Sequence, residues 1–376
     1  MKKFLLLIFF LALGIMLYGV LFYQTPQEKQ FATILSAAKA GNLEAQVQAG
    51  YAYAEGKGVK QDGKQALFWY RKAALEGDTE ALWKCAESYI YGKGTTPDLE
   101  EASAFLLLAA KQGSVLAQKE ISRFYAEGLG GLPKHAGESL YWQFIAAKLG
   151  DATAKQNLIS AQNNQPELYE QVSRFLTDLK QAQEGDGPAR LRVGQAYLTG
   201  APVLKNTEEA ERWLTLAWQE NQLPQAGLIL AKNYQAGGVL PPDAAKATAL
   251  WNELAAQAYP PAQYALGEQA YQQDPPNYTD AFAWFSNAAA GGLAAGQYMT
   301  GFMLMQGQGT PVSVPLAITF FRNAAEQNYA AAQYVLGQIY SKGLGVPADK
   351  QAGRQWLEKA ASNGNTAAQA LLDEMN

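Results

Sequence analysis

The chain repeats itself about every 36 residues, and this periodicity constrains its fold more than any other feature. One small residue marks the start of each copy. The marked positions are Ala45, Ala81, Ala117, Ala154, Ala189, Ala226, Ala262, Gly296, Ala332 and Ala368. Successive positions lie 34 to 37 residues apart. Because a unit this short cannot enclose a core alone, each copy must stack on its neighbours.

Each copy predicts a helix, a turn and a second helix, and the segment 332–364 shows this most clearly. Ala332, Leu336 and Tyr340 recur at i, i+4 and i+8, so they share one face of a helix. The glycine-rich segment 342–345 then ends that helix, because glycine accepts backbone angles that other residues avoid. A second helix follows and carries Trp356 in front of an alanine pair. The copy therefore predicts a helical hairpin.

The second helices share a signature in which a large residue precedes two alanines. It occurs in WYRKAA (69–74), FLLLAA (105–110), WQFIAA (142–147), WNELAA (251–256), WFSNAA (284–289), FFRNAA (320–325) and WLEKAA (356–361). The large side chain fills the space between neighbouring helices, and the alanines let the helix backbones approach closely. Together with the turn glycines, this signature predicts an all-α fold of about nine helix–turn–helix repeats, with half-repeats at 31–41 and 366–375 as caps.

The repeats predict a division of the chain into blocks. Residues 29–151 form a first repeat block with its half-repeat cap, and residues 188–376 form a second. Between them, residues 152–187 lack the turn glycines and contain several Asn, Gln and Gly residues. We interpret this segment as a degenerate repeat that acts as a joint.

The N-terminus predicts a membrane anchor. Residues 4–23 carry no charge and follow two lysines, and twenty helical residues span about 30 Å, the thickness of a bilayer core. We therefore expect a transmembrane helix over residues 1–24. The two lysines favour a cytoplasmic N-terminus, which would place the repeats in the periplasm. A cleaved signal peptide, which would leave the repeats periplasmic or secreted, is the alternative.

The residues quoted above resemble the Sel-one-like repeat family. That pattern is approximately A-x-x-x-L-G-x-x-Y-x-x-G-x-G-V, followed by an aromatic residue and A-A-x-x-G, and it covers about residues 30–376. The resemblance implies a right-handed α/α solenoid similar to tetratricopeptide arrays. It also implies an adaptor that assembles protein complexes, which in bacterial members include those of the cell envelope.

Composition and motifs argue against several other functions. The net charge is -4 and no basic cluster follows the first three residues, so nucleic-acid binding is not expected. A histidine-based catalytic triad needs a histidine held by a carboxylate, and metal sites usually need several His or Cys ligands. This chain has one of each, His135 and Cys85. We place Cys85 in the core, where other repeats have leucine. We therefore expect no enzyme activity, no cofactor and no metal.

Three weaker motifs also have simpler explanations. The segment 58–64 matches a phosphate-binding loop, but Gln65 stands where that loop needs Ser or Thr and the glycines belong to the repeat turn. Ser36 and Lys39 match the S-x-x-K of serine acylases without any K-T-G or S-D-N partner. Methionines at 299, 303 and 305 fill core gaps more often than they bind copper.

A partner surface is expected on the first helices, which line the concave face of tetratricopeptide-like stacks. A stripe two, six and nine residues after each repeat start lies to one side of the packing residues. In the C-terminal block this stripe is rich in aromatics, and residues 261–335 contain only five charges. The predicted partner-binding residues are Leu191, Leu228, Tyr264, Tyr298, Phe302, Met305 and Tyr334.

An aromatic, weakly charged groove suits two kinds of ligand. One is an apolar segment of a partner protein, which makes the chain a non-enzymatic scaffold, tethered to the inner membrane and assembling envelope complexes. The other is a polysaccharide or peptidoglycan chain stacked on the rings. A hydrolase or a β-lactam-binding enzyme is a third hypothesis, which the sequence favours least. The tyrosines could also serve only to pack one repeat against the next.

Overall fold

The computed structural model describes residues 25–375, and within this range the chain forms 20 α-helices and no strand. The helices of the first half are α1 Pro26–Lys39, α2 Leu43–Glu55, α3 Gly63–Leu75, α4 Thr79–Tyr91, α5 Leu99–Lys111, α6 Val115–Glu127, α7 Ala136–Lys148, α8 Ala152–Asn164 and α9 Pro166–Gln183. Those of the second half are α10 Gly187–Thr199, α11 Thr207–Gln219, α12 Pro224–Ala236, α13 Ala244–Ala256, α14 Pro260–Tyr271, α15 Tyr278–Ala290, α16 Ala294–Gln306, α17 Val314–Glu326, α18 Ala330–Lys342, α19 Lys350–Ser362 and α20 Thr366–Glu374. The all-helical, helical-repeat part of the expected fold is confirmed.

The helices form two compact units. The first unit ends at Thr177 and also includes Gly200–Leu204, and the second comprises Asp178–Thr199 and the chain from Lys205 onward. From α1 to α8 in the first unit and from α10 to α20 in the second, each helix packs against the next one in the chain. The division falls inside α9. The finer blocks expected from the sequence, with a joint at 152–187, stay a prediction.

The predicted membrane location is wrong. No helix between residues 25 and 375 is both long enough and apolar enough to cross a bilayer. The longest, α9, has 18 residues and carries five charged side chains, whereas the others are too short to cover about 30 Å of hydrocarbon. The predicted transmembrane helix itself, over residues 1–24, lies outside the described residues.

The repeat register is confirmed by burial. All ten residues that mark the repeat starts are buried, and so is the position four residues later in nine of the ten copies. Cys85 occupies one of these positions and is 0% exposed, as expected for a core residue. Burial raises the pKa of its thiol to about 12. The face shared by these positions is therefore the one that packs against the second helices.

The glycine pairs end the first helices, as predicted. In the clearest copy, Gly343 caps α18 in the left-handed conformation with φ 70°, and Gly345 follows with φ 76°. A Cβ on Gly345 would lie 2.2 Å from Val314 Cγ1 of the preceding repeat. The second glycine is therefore required both by its backbone angle and by the close approach of the neighbouring repeat.

One of the predicted signatures is out of register by a residue. In WNELAA the second alanine, Ala256, is exposed, whereas Leu254 and Ala255 are buried. The signature of this repeat therefore starts at Leu250, and Trp251 takes the position held by Tyr70 in the first repeat. Alanine pairs alone could not reveal this shift, because a leucine fills the same buried position here.

Candidate partner-binding surface

The predicted stripe lies on the first helices of the repeats, and its aromatic part lies on three of them in succession. Tyr264 is on α14, Tyr298 on α16 and Tyr334 on α18. Each of these side chains is half-buried. They therefore contribute both to packing between helices and to the surface of the second unit.

Two of these tyrosines pack on aromatic rings of neighbouring helices. The ring centroids of Tyr264 and Phe285 lie 5.3 Å apart, and those of Tyr298 and Phe321 lie 5.8 Å apart. Tyr298 also contacts Tyr329, at a centroid distance of 5.4 Å. Offset and tilted aromatic pairs at these distances add about 0.5–1.5 kcal/mol beyond the area that they bury. One face of each tyrosine is thus held in place by the fold.

The other predicted residues are distributed over the same unit. Phe302 and Met305 are half-buried on α16, beside Tyr298 in one hydrophobic cluster. Tyr334 packs near the end of the chain against a cluster that contains Leu357, and its hydroxyl accepts a hydrogen bond from the side chain of Gln338. Leu191 and Leu228 lie in a separate cluster nearer the start of the unit. The predicted residues therefore fall into more than one cluster, and the aromatic ones lie on α14, α16 and α18.

A second row of apolar residues, which the helical spacing of the stripe did not reveal, lies at the N-terminal caps of four first helices. In the first unit these caps are polar; for example, Asn42 Oδ1 accepts from the Ala45 N–H at 2.8 Å. In the second unit the caps of α12, α14, α16 and α18 are apolar or aromatic, and none makes a side-chain cap hydrogen bond. These residues are Leu223, Tyr259, Leu293 and Tyr329. The signal was present in the sequence as apolar residues at cap positions.

The loss of these caps has a cost. An apolar N-cap residue offers no side-chain acceptor to the first turn, which costs up to about 1 kcal/mol per helix. In α12, α14 and α18 the N–H groups of Ala226, Ala262 and Ala332 donate instead to the backbone carbonyl of the cap residue. The first helices of four successive repeats in the second unit lack a side-chain cap. Tyr329 offsets part of the cost by packing on Tyr298. Such a departure from local preference is expected where a surface has a function besides stability.

The hydroxyl groups of Tyr264, Tyr298 and Tyr329, which we call the tyrosine cluster, interact electrostatically with one another and with Glu268. Burial, followed by the Glu268 carboxylate, raises the pKa of Tyr264 and of Tyr329. Burial and the neighbouring Tyr329 raise the pKa of Tyr298. Each of these influences disfavours the phenolate, so the three hydroxyls stay protonated, and the Tyr264 hydroxyl donates a hydrogen bond to the Glu268 carboxylate.

The equivalent face of the first unit is different in character. It contains a cavity of about 670 Å³ between α2, α3 and α4, lined by charged residues as well as by Tyr51 and Tyr70. Glu87 in this cavity accepts hydrogen bonds from Lys84 at 3.0 Å and from Lys93 at 2.8 Å. The Lys84 ammonium also lies 5.3 Å from the centre of the Tyr51 ring.

The residues of the other motifs lie at the following positions. His135 is the N-cap of α7, where its Nδ1 accepts a hydrogen bond from the Glu138 N–H at 3.0 Å. Ser36 and Lys39 are exposed on α1. Gly58 belongs to the turn between α2 and α3, and Gly63 is the first residue of α3. Among residues 25–375, no three His, Cys, Asp or Glu side chains are grouped so that they could hold a metal ion.

The chain was compared with curated proteins and with solved structures. A search of curated proteins found no match. Among solved structures, the chain is similar to a Sel1 repeat protein from Oxalobacter formigenes, at 27% identity and a TM-score of 0.47, with 92% of this chain and 90% of that one covered. It is also similar to a protective antigen of uropathogenic Escherichia coli that displays an SLR fold, at 24% identity and a TM-score of 0.41, covering 90% and 88% of the two chains.

The family comparison is more direct. A model of the Sel1 repeat matches eight segments, namely residues 43–78, 79–114, 115–151, 187–219, 227–259, 260–293, 294–329 and 330–365. Each matched segment contains helices of the hairpins described above, and together they cover most of the chain. The unmatched segment 152–186 coincides with the degenerate repeat. The resemblance recognised in the sequence is thus confirmed, and the chain belongs to the Sel1 repeat family.

Proposed function

We propose that this protein is a binding scaffold that holds a segment of a partner protein along the aromatic surface of its second unit. The surface consists of the tyrosine cluster together with Phe302 and Met305. Stacked helical hairpins present extended surfaces suited to protein–protein interaction, and aromatic residues and methionine are enriched in such interfaces.

The observation that carries this proposal is the run of apolar N-caps on α12, α14, α16 and α18. Polar residues at these positions could cap the first turn through their side chains, as Asn42 does in the first unit. Tyr329 stands at one of these positions and lies against Tyr298, where it enlarges the aromatic surface. An aromatic surface enlarged at a position where other repeats have a polar cap supports a ligand at this surface.

The experiment separates binding from folding. A photo-crosslinking amino acid is introduced at Met305 of the full chain, in intact cells that carry the gene, and cross-linked adducts are identified with and without Tyr329→Asp. This substitution restores a cap that accepts a backbone N–H, so the helix should keep its stability. We expect adducts with one or a few proteins, and we expect Tyr329→Asp to remove them while the thermal unfolding midpoint changes by only a few degrees.

A control with the same probe at Phe68 tests whether the adducts depend on location. Phe68 is a large apolar residue that is 55% exposed on a second helix of the first unit. The same adducts from both positions, or adducts that survive Tyr329→Asp, would contradict the proposal. Retention of the purified protein on a polysaccharide matrix, lost on Tyr298→Ala, would favour a glycan as the ligand instead.

A further inference from the structure

We infer that the cavity between α2, α3 and α4 of the first unit is a second binding site, which takes a carboxylate group of a ligand. The site lies in a different unit from the aromatic surface and does not depend on the function proposed for that surface. Its chemistry follows from one buried hydroxyl group, from the hydrogen bonds already made in the cavity and from a comparison between repeats.

Tyr70 lines this cavity, and its hydroxyl group has no hydrogen-bond partner in the described chain. The side chain is only 3% exposed, and its oxygen is buried. Burying a hydroxyl without a partner is unfavourable, so nearly all such groups in folded proteins form a hydrogen bond. The Tyr70 hydroxyl is therefore a donor that the fold itself does not use.

Packing does not require this hydroxyl. In two repeats of the second unit the position of Tyr70 is taken by Phe285 and Phe321, and both rings are fully buried. Each of these rings lies against a helical glycine of its own repeat, as the ring of Tyr70 lies against Gly50. The fold therefore packs a phenyl ring at this position without an oxygen, and the hydroxyl of Tyr70 points to a bound group.

The lysines of the cavity also have N–H groups to donate. Lys84 and Lys93 each donate one hydrogen bond to the carboxylate of Glu87, at 3.0 Å and 2.8 Å. An ammonium group has three N–H donors, so each lysine keeps two after this bond. The carboxylates are already paired with cations, because Glu87 accepts from both lysines and Glu55 forms an ion pair with Lys57. A further anion would thus find unused donors, whereas a further cation would find every carboxylate of the cavity paired.

A carboxylate is the group that suits these donors. The charged side chains that line the cavity balance one another, namely Glu55, Lys84, Glu87 and Lys93. A carboxylate adds a single negative charge, and its two oxygens accept several hydrogen bonds, of which those from ammonium groups are among the strongest in proteins. A phosphate group would bring up to about two negative charges beside the two glutamates. We therefore assign the site to a carboxylate held by the two lysines and the Tyr70 hydroxyl.

The cavity is large enough for such a ligand. Its volume of about 670 Å³ is typical of pockets that bind small molecules. Because the Tyr70 oxygen is buried, a neighbouring side chain must move aside before a ligand can contact it. Lys93 is long and mostly exposed, so it can turn toward a ligand without a change in the backbone. Both the acidic side chain of a peptide and a small organic acid fit this space.

The test compares probes that differ in the charge of one group, by isothermal titration calorimetry with the full chain. One pair is acetyl-Gly-Glu-Gly-amide and its glutamine counterpart, and a second pair is propionate and propionamide. Inorganic phosphate is a further probe. The proteins are the wild type, Tyr70→Phe, Lys93→Gln and a control, Lys342→Gln, which changes an exposed lysine at the end of α18 in the second unit.

We expect the wild type to bind the carboxylate of at least one pair about tenfold more tightly than the amide, because its hydrogen bonds are charge-assisted. Tyr70→Phe and Lys93→Gln should each reduce this preference to about threefold or less, while Lys342→Gln should leave it unchanged. A preference within the peptide pair alone would identify an acidic peptide as the ligand, and one within the propionate pair alone a small organic acid.

Three results would overturn the inference. They are a wild type without a carboxylate preference in either pair, tighter binding of inorganic phosphate than of both carboxylates, and a preference that survives both Tyr70→Phe and Lys93→Gln. Folding is checked by thermal unfolding of Tyr70→Phe beside Tyr89→Phe, which removes a hydroxyl that accepts from Arg71 at 2.6 Å. Tyr89→Phe should lower the midpoint and Tyr70→Phe should not. An equal loss in both variants would show that the Tyr70 hydroxyl is bonded within the fold, and it would also overturn the inference.

Discussion

The packing of the second unit can be tested with a single methyl group at Gly267, in the interior of α14. A Cβ at this position would lie 2.7 Å from both Cδ1 and Cε1 of Phe285, a ring that is fully buried on α15. Gly267→Ala therefore forces the ring or the helix to move. At a helical glycine with no close neighbours, the same substitution would stabilise the helix, because alanine has the higher helix propensity.

The expected size of the effect comes from two opposing contributions. An added methyl in a well-packed core costs about 1–3 kcal/mol, and the better helix propensity of alanine returns about 1 kcal/mol. The net loss should be about 1 kcal/mol. The first unit shows how the chain solves the same problem with alanine: Ala86 holds the position of Gly267, and the buried Leu106 holds that of Phe285. Phe285→Leu should therefore relieve the clash in the double variant.

Native-state hydrogen exchange of the amides in α14 and α15 suits this test, because a helical-repeat array opens locally. The variants are Gly267→Ala, Phe285→Leu and both together. We expect each single change to lower the opening free energy and the double variant to lose about 1 kcal/mol less than the sum. If Gly267→Ala is as stable as the wild type, or if the two losses simply add, the ring does not constrain this glycine and the reasoning is wrong.

Three further predictions concern other parts of the chain. Ala258 has φ 57° at a position where most repeats have glycine, so Ala258→Gly should raise the free energy of unfolding by about 0.5–1 kcal/mol; a loss would show that the methyl group packs. Cys85, with a pKa of about 12, should not react with a thiol reagent at pH 8 until guanidinium unfolds the protein, and its contribution to stability should fall as the pH rises from about 9 towards 12; rapid reaction of the native protein would contradict this. Burial raises the pKa of Glu138, although the Leu204 N–H donates to its carboxylate at 2.8 Å, so the folded state holds this proton to a higher pH than the unfolded state. The thermal stability of the wild type should therefore improve relative to Glu138→Gln as the pH falls from 7 towards the ordinary carboxyl range, and a difference independent of pH would refute this.

The repeat period, the helical hairpins and the turn glycines could all be read from the sequence, because each depends on local spacing or on the backbone angles of glycine. Alignment by alanine pairs failed where a leucine entered the buried position, as at Leu254. The membrane location was inferred from the apolar N-terminus and is contradicted within the described helices, which are too short or too charged to cross a bilayer.

The partner surface, too, could be predicted only in part from the sequence. Helical spacing located the stripe on the first helices, and it identified Tyr264, Tyr298 and Phe302 as neighbours in successive repeats. Tyr329 escaped this reasoning, because its contact with Tyr298 joins a helix start to a different repeat and depends on how the hairpins stack. The pairing of Glu87 with Lys84 and Lys93 also depends on three-dimensional proximity.

The sequence by itself thus determined the repeat, its helices and its family, since these follow from periodicity along one chain. The tertiary structure decided which aromatic rings meet across repeats and which charged side chains form pairs. Those properties depend on distances between side chains from different helices, and a pattern along the chain does not contain them.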